Sequence, residues 1–137
     1  MEDPLRNYPG YALRRASAAR IADFNHRLAP SAVTFTEASV MMVVHTNPGA
    51  TLSAIGRMLD IQRANMTPLV ARLEARGLID RTPVNGRAHG LSLSESGLAM
   101  QAEVSAIVDA YEKALLSLVP KALRPHLLPI LHALWGG

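Results

Sequence analysis

The chain has 137 residues, of which 49% are hydrophobic and 18% charged, with a formal charge of +3. That length fits one compact domain, and the apolar share excludes the low-hydrophobicity composition of a disordered chain. With no cysteine, a disulfide scaffold, a thiolate zinc site, a thiol nucleophile and a cysteine redox sensor are all excluded.

The chain opens on Met1-Glu2-Asp3-Pro4, with neither a basic nor an apolar leader region. Its longest apolar run, Val40 to Val44, falls far short of the roughly 20 residues that span a membrane. A cytoplasmic chain without a membrane segment is the expectation. In chain order, residues 11–28 repeat apolar side chains at helical spacing (Leu13, Ala16, Phe24, Leu28), and Pro30 stops that helix. A second helix opens at Thr36-Glu37-Ala38, runs through Met41 to Val44, and ends in the turn Asn47-Pro48-Gly49. A short third helix spans Ser53 to Leu59. After a break at Asp60-Ile61 a fourth runs from about Gln62 to Arg76, with Met66, Leu69, Val70 and Leu73 inward and Gly77 as C-cap candidate.

The period then changes from helical to alternating. Leu78 to Thr82 suits a strand, Asn85-Gly86 is a hairpin turn signal, and Leu91-Ser92-Leu93 alternates with period two. Ser94 is placed to N-cap a fifth helix running to about Leu118. A sixth, 121–135, is crowded with leucines. Pro125 falls in its first turn and Pro129 is expected to kink it.

The basic residues are almost all arginine; only Lys113 and Lys121 are lysines. Arginine forks suit phosphate and guanine, but an alanine-rich, GC-encoded composition would produce the same ratio, so position is more informative. Between 51 and 90, Arg57, Arg63, Arg72, Arg76, Arg81 and Arg87 face only Asp60, Glu74 and Asp80, and after Ser94 the balance turns acidic. Two short helices across a tight break, followed by a hairpin with a basic tip, is the winged helix-turn-helix order. The terminal helices, 1–30 and 94–137, are too apolar for so small a domain to cover. A mainly α fold with a small β-hairpin wing is expected, its head at 36–93 and its terminal helices forming a dimerisation region.

The segment Leu59 to Arg81, with Arg72-Leu-Glu-Ala-Arg-Gly-Leu78 as its most specific part, resembles the recognition helix and first wing strand of the MarR (multiple antibiotic resistance regulator) family. Leu28-Ala-Pro…Thr36 and Leu91-Ser-Leu-Ser-Glu-Ser-Gly97 fit as well, so the likeness spans about 10–115. It implies a homodimer joined through the first, fifth and sixth helices. Such a dimer binds a pseudo-palindromic operator in double-stranded DNA and is released by a small, often aromatic, effector. The sequence departs from the family in two places. Asn85-Gly86-Arg87 replaces the usual acidic wing residue, and Pro68 falls within the recognition helix. If Asn65 is the N-cap, Pro68 lies in the first turn and costs nothing; if the helix begins near Gln62, one hydrogen bond is lost.

Gln62, Arg63, Asn65 and Thr67 lie at the start of that helix. Asn and Gln can pair with adenine, and Arg with guanine, although the same residues also cap and solubilise helices. Ser53 can donate to a phosphate or cap its own helix. Arg87 at the wing tip is assigned to minor groove or phosphate, His89 to the backbone beside it. Arg72 suits either a structural ion pair or a phosphate, while Arg76 and Arg81 can widen the phosphate footprint but read first as solvated surface. For the effector, Arg14, Arg15 and His26 of the first helix and Met41 and His45 of the second are candidates, with surface charge and core packing as the competing readings. The five histidines form no i,i+4 zinc pair, and no nucleophile elbow or phosphate-binding glycine loop is present, so neither a metal, a cofactor nor catalysis is expected. Two rival readings stand: a winged-helix interaction module or antirepressor that does not bind DNA, and a small helical enzyme or ligand carrier.

Overall fold

The computed structural model describes residues 1–86 and 88–136. Helix α1 (Pro9–Leu28) begins on a proline, whose missing N–H would have been unpartnered there anyway. It passes into a 3-10 turn, Ala29–Ser31. Helix α2 (Phe35–Thr46) starts one residue before the expected Thr36 because Thr34 and Glu37 form a reciprocal capping box. The Thr34 hydroxyl accepts from the Glu37 N–H at 3.2 Å, and the Thr34 N–H donates to Glu37 Oε2 at 3.0 Å.

Strand β1 (Ala50–Thr51) and helix α3 (Leu52–Met58) follow. Helix α4 (Arg63–Ala75) ends at Gly77, whose φ of +68° is the left-handed conformation an αL stop requires. Strands β2 (Ile79–Asn85) and β3 (Ala88–Leu93) form the wing, and β1 pairs with the far edge of β3, giving the order β1-β3-β2. Sequence periodicity did not reveal β1, since two residues carry no alternation. Both wing strands run closer to the tip than expected. Pro83 is tolerated because β2 is an edge strand, and the register shifts between Pro83 and Asn85.

Helix α5 (Glu95–Ser117) is N-capped by Ser94, which accepts from the Gly97 N–H at 3.0 Å. A 3-10 turn, Lys121–Leu123, leads into α6 (Arg124–Trp135), with Pro125 in its first turn as expected and Pro129 inside it.

Two apolar cores result. One, under the wing, unites Val40, Met41 and Val44 of α2 with Ile55, Met66, Leu69, Val70, Leu73, Leu78, Ile79 and Leu91. The other joins Phe24 and Leu28 of α1 to Val33, Ala38, Val104 and Tyr111. Met100 packs against both, and α2 contributes to each. Burying each such side chain contributes about 1.5–3 kcal/mol. Helix α6, by contrast, has no fully buried residue within the protomer; Leu127 and Leu131 are half-buried. No single helix among the described residues is long and apolar enough to cross a membrane; α5 and the segment 121–135 are bent by 116° to one another.

Candidate nucleic-acid interface

The helix-turn-helix is set by a close approach between α3 and α4. Asp60 takes a left-handed φ of 52° in the turn between them, a conformation that short polar residues adopt more readily than others. Gly56 leaves little room for a side chain: a Cβ there would lie 3.0 Å from the Ile61 carbonyl oxygen and 3.2 Å from Met66 Cγ. The angle between the helices opens a cleft of about 350 Å³ that brings Ser53 and Arg57 of α3 together with Gln62 and Arg63 at the start of α4.

Gln62 is the N-cap of α4, and its side chain makes no capping bond. Asn65 is therefore the third helical residue, and the capping role weighed for it is not the one it has. Asn65 is exposed and lines a second, more polar groove of about 800 Å³ with Gln62, Pro68 and Arg72. Gln62 thus sits on the crest between the two clefts. Thr67 turns its hydroxyl back onto the Arg63 carbonyl at 3.2 Å. Pro68, five residues beyond the first helical residue, lies inside the helix, so the Ala64 carbonyl lacks its i+4 donor.

Ser53 is exposed in the first turn of α3, but Thr51 is the cap, accepting from the Ala54 N–H at 3.3 Å. Its hydroxyl is left to other partners. Arg57, one turn further along the same face of α3, was not singled out from the sequence; its spacing of four from Ser53 was the available signal.

The remaining arginines are more engaged than surface solvation implies. Arg72 Nε donates to Glu37 Oε1 at 3.1 Å, the ion-pair alternative foreseen for it. Burial works against the Glu37 carboxylate, but the Thr34 N–H and the Arg72 guanidinium outweigh it and hold its pKa below the usual carboxylate range. Arg76 donates to the Ala32 and Ser31 carbonyls. Arg81, at the base of the wing, pairs with Glu74 of α4 through a second bond of 2.9 Å. Neither Arg76 nor Arg81 is merely solvated: Arg76 meets carbonyls 44 and 45 residues away, and Arg81 a carboxylate seven residues back across the turn from α4 into β2. His89 is exposed on β3 opposite Pro83. Arg87 lies outside the described residues.

The five effector candidates are not assembled into one cavity. Arg14 and Arg15 place their guanidiniums 5.8 and 5.9 Å from the Tyr11 ring, and Arg15 donates to the Tyr11 hydroxyl at 3.1 Å. His26 and His45 are exposed, whereas Met41 is fully buried in the head's core, where its flexible thioether serves packing. A groove of about 590 Å³ that the sequence did not indicate lies instead where α1 meets α2, lined by Ile21, Asn25, Val33 and Phe35 among others. Among the described residues no three metal-ligating side chains cluster.

Comparison with known proteins gives consistent likenesses. The profile of the MarR family matches residues 33–88, from before α2 to the wing. The transcriptional repressor CouR bound to a 23-mer DNA duplex is 33% identical, with a TM-score of 0.89, and the match covers 98% of this chain and 99% of that one. CouR bound to p-coumaroyl-CoA is 32% identical, with a TM-score of 0.89 and coverage of 98% and 96%. The regulator SarZ of Staphylococcus haemolyticus is 25% identical over 107 residues, covering 77% of this chain and 73% of SarZ.

Proposed function

The chain belongs to the MarR family of DNA-binding transcription regulators, and from that premise we propose that it is a homodimeric repressor whose grip on a pseudo-palindromic operator is released by a small aromatic effector. The observation that carries the reading is the start of α4. Gln62, Arg63 and Asn65 are exposed there beside Ser53 and Arg57, around a helix N-terminus with no acidic residue in its first turn. Placed in a major groove, Arg63 reads guanine, and Gln62 and Asn65 read adenine, each worth about 1–3 kcal/mol of discrimination. Ser53 and Arg57 serve the flanking phosphates, and Arg87 and His89 on the wing contact the adjoining backbone or minor groove.

The exposed apolar residues Leu128, Ile130, Leu134 and Trp135 of α6 supply the surface on which a second copy docks. Two heads then face successive grooves about one helical turn apart. A ligand releases such a dimer only if it binds better to an arrangement whose head spacing mismatches the operator. The groove between α1 and α2 is the candidate effector site, Arg14 and Arg15 offering charge at the outer end of α1. Because the similar CouR has been seen with p-coumaroyl-CoA, aromatic acids and their CoA thioesters are the first ligands to try.

The test is a gel shift of the purified protein on its own upstream intergenic DNA, across a salt series and with those compounds added. Tight, salt-sensitive binding abolished by one compound supports the whole reading. Binding that no compound releases removes the proposed effector class, and absence of binding at low salt there and at other genomic sites favours an interaction module.

A further inference from the structure

The end of the recognition helix is lashed to the segment that joins α1 to α2. Arg76, the C-cap of α4, donates from one terminal nitrogen to the Ala32 carbonyl at 2.6 Å and from the other to the Ser31 carbonyl at 3.0 Å. Arg72, four residues earlier and so on the same face of the helix, reaches Glu37 at 3.1 Å. Both anchor points are unusual. Ala32 holds a left-handed φ of 51°, a strained state for a residue with a side chain that persists only where its surroundings enforce it. Glu37 is only 5% exposed and already committed to the Thr34 capping box.

The same short segment is held from the other side by α1. Asn25 Oδ1 accepts from the Phe35 N–H at 2.7 Å, and the Phe24 ring meets Phe35 edge-on at 5.5 Å. Residues 31–37 are therefore a rigid coupler, with α1 fastened to one side and the C-terminal turns of α4 to the other.

We propose that Arg72 and Arg76 are positioning residues. They transmit the attitude of α1 through residues 31–37 to the recognition helix, and they give no guanidinium to a DNA phosphate. The proposal rests on the assignment of α4 as the DNA-reading helix and deepens it. Any displacement of residues 31–37 then tilts Gln62, Arg63 and Asn65 without touching them.

The test has two arms. The chain lacks cysteine, so Ala22→Cys on α1 and Ala71→Cys on α4, both exposed, would carry the only two spin labels of a protomer. With labelled protomers diluted among unlabelled ones, the interlabel distance distribution should be narrow in the parent and broad in the Arg72→Gln/Arg76→Gln variant. An unchanged distribution overturns the proposal. This arm needs no DNA, so it decides the matter even if the parent binds none and the DNA-binding reading fails.

The second arm measures affinity for the upstream DNA across a salt series. Arg72→Gln and Arg76→Gln should each weaken binding about tenfold, a scale set by remote coupling, with the salt slope unchanged. A slope reduced by about one per arginine would mean lost phosphate contacts and would overturn the assignment. Glu37→Gln gives the opposing signs. A buried Glu37 reaches DNA only through Arg72, so its neutralisation should weaken binding and be non-additive with Arg72→Gln. A gain in affinity would show Arg72 freed to bind phosphate, and the proposal would fall.

Discussion

Gly56 of α3 and Ile61 of the turn before α4 are in backbone contact: the Ile61 N–H donates to the Gly56 carbonyl at 2.8 Å, while the Ile61 carbonyl oxygen would lie 3.0 Å from any Cβ at position 56. The cleft that gathers Ser53, Arg57, Gln62 and Arg63 depends on this approach. A side chain at 56 crowds this junction, and the neighbours that have to give are a backbone carbonyl and a fully buried methionine, Met66.

Gly56→Val should accordingly destabilise the protein by about 1–3 kcal/mol, the usual penalty of overpacking. In urea unfolding the midpoint should drop while the slope stays constant. Weakened DNA binding should accompany it even where the variant is fully folded, because the cleft residues lose their common geometry.

Arg63 and Arg57 flank the same cleft but should behave differently on DNA. Arg63→Ala, at the first turn of α4, should cost about 1–3 kcal/mol on the preferred sequence and relax the preference at one base position. Arg57→Ala, on the neighbouring helix, should weaken all sequences alike and lower the salt slope by about one. Binding measured on the operator and on scrambled duplexes separates the two, and interchanged results would reverse the assignment of reader and phosphate contact.

The order of helices, the wing and the end of the recognition helix were all legible in the sequence because each has a local signal: a 3.6-residue stripe, an Asn-Gly turn, a glycine stop; the start of that helix stayed open between Gln62 and Asn65, since Gln62 caps it without a side-chain bond. The role of Ser94 was legible for the same reason, since an N-cap acts within three residues. What remained hidden was non-local. Strand β1 is too short to alternate and exists because β3 offers an edge to Ala50 and Thr51. The partners of Arg72 and Arg76 could not be read, since Glu37, Ser31 and Ala32 lie 35 to 45 residues from theirs, while Glu74, seven residues before Arg81, meets it only across the turn from α4 into β2. The groove between α1 and α2 escaped notice because its lining residues share no spacing, only a junction.

The Glu37 carboxylate also makes stability depend on pH. Its pKa is held below its ordinary 4.5 in the folded state, so as the pH falls the unfolded chain takes up this proton first and is favoured. The stabilisation is complete above pH 4.5 and is lost as the pH passes down through the lowered folded value. Glu37→Gln should be less stable than the parent at pH 7, and the two unfolding curves should converge as the pH falls through that lowered value. A constant difference between them across that range would show that the Arg72 and Thr34 contacts do not depend on the charge.

Helix α6 offers the clearest route to separating assembly from DNA reading. Leu128, Leu134 and Trp135 are 60%, 63% and 73% exposed, and no residue of α6 is fully buried within its own protomer, so replacing them disturbs no monomer core. A charge placed on such a face costs little in a free helix but has to be desolvated where two copies meet. Leu128→Glu with Leu134→Glu should therefore leave helicity unchanged and convert a dimer to a monomer in sedimentation. It should also weaken operator binding far more than either half-site, because the second head loses its tether and with it the high effective concentration. A variant that stays dimeric would move the interface away from α6, toward the exposed Leu13 and Ile21 of α1 and Leu116 and Leu118 at the C-terminal end of α5. A monomer that keeps full operator affinity would instead show that one head suffices, and the pseudo-palindrome would lose its physical reason.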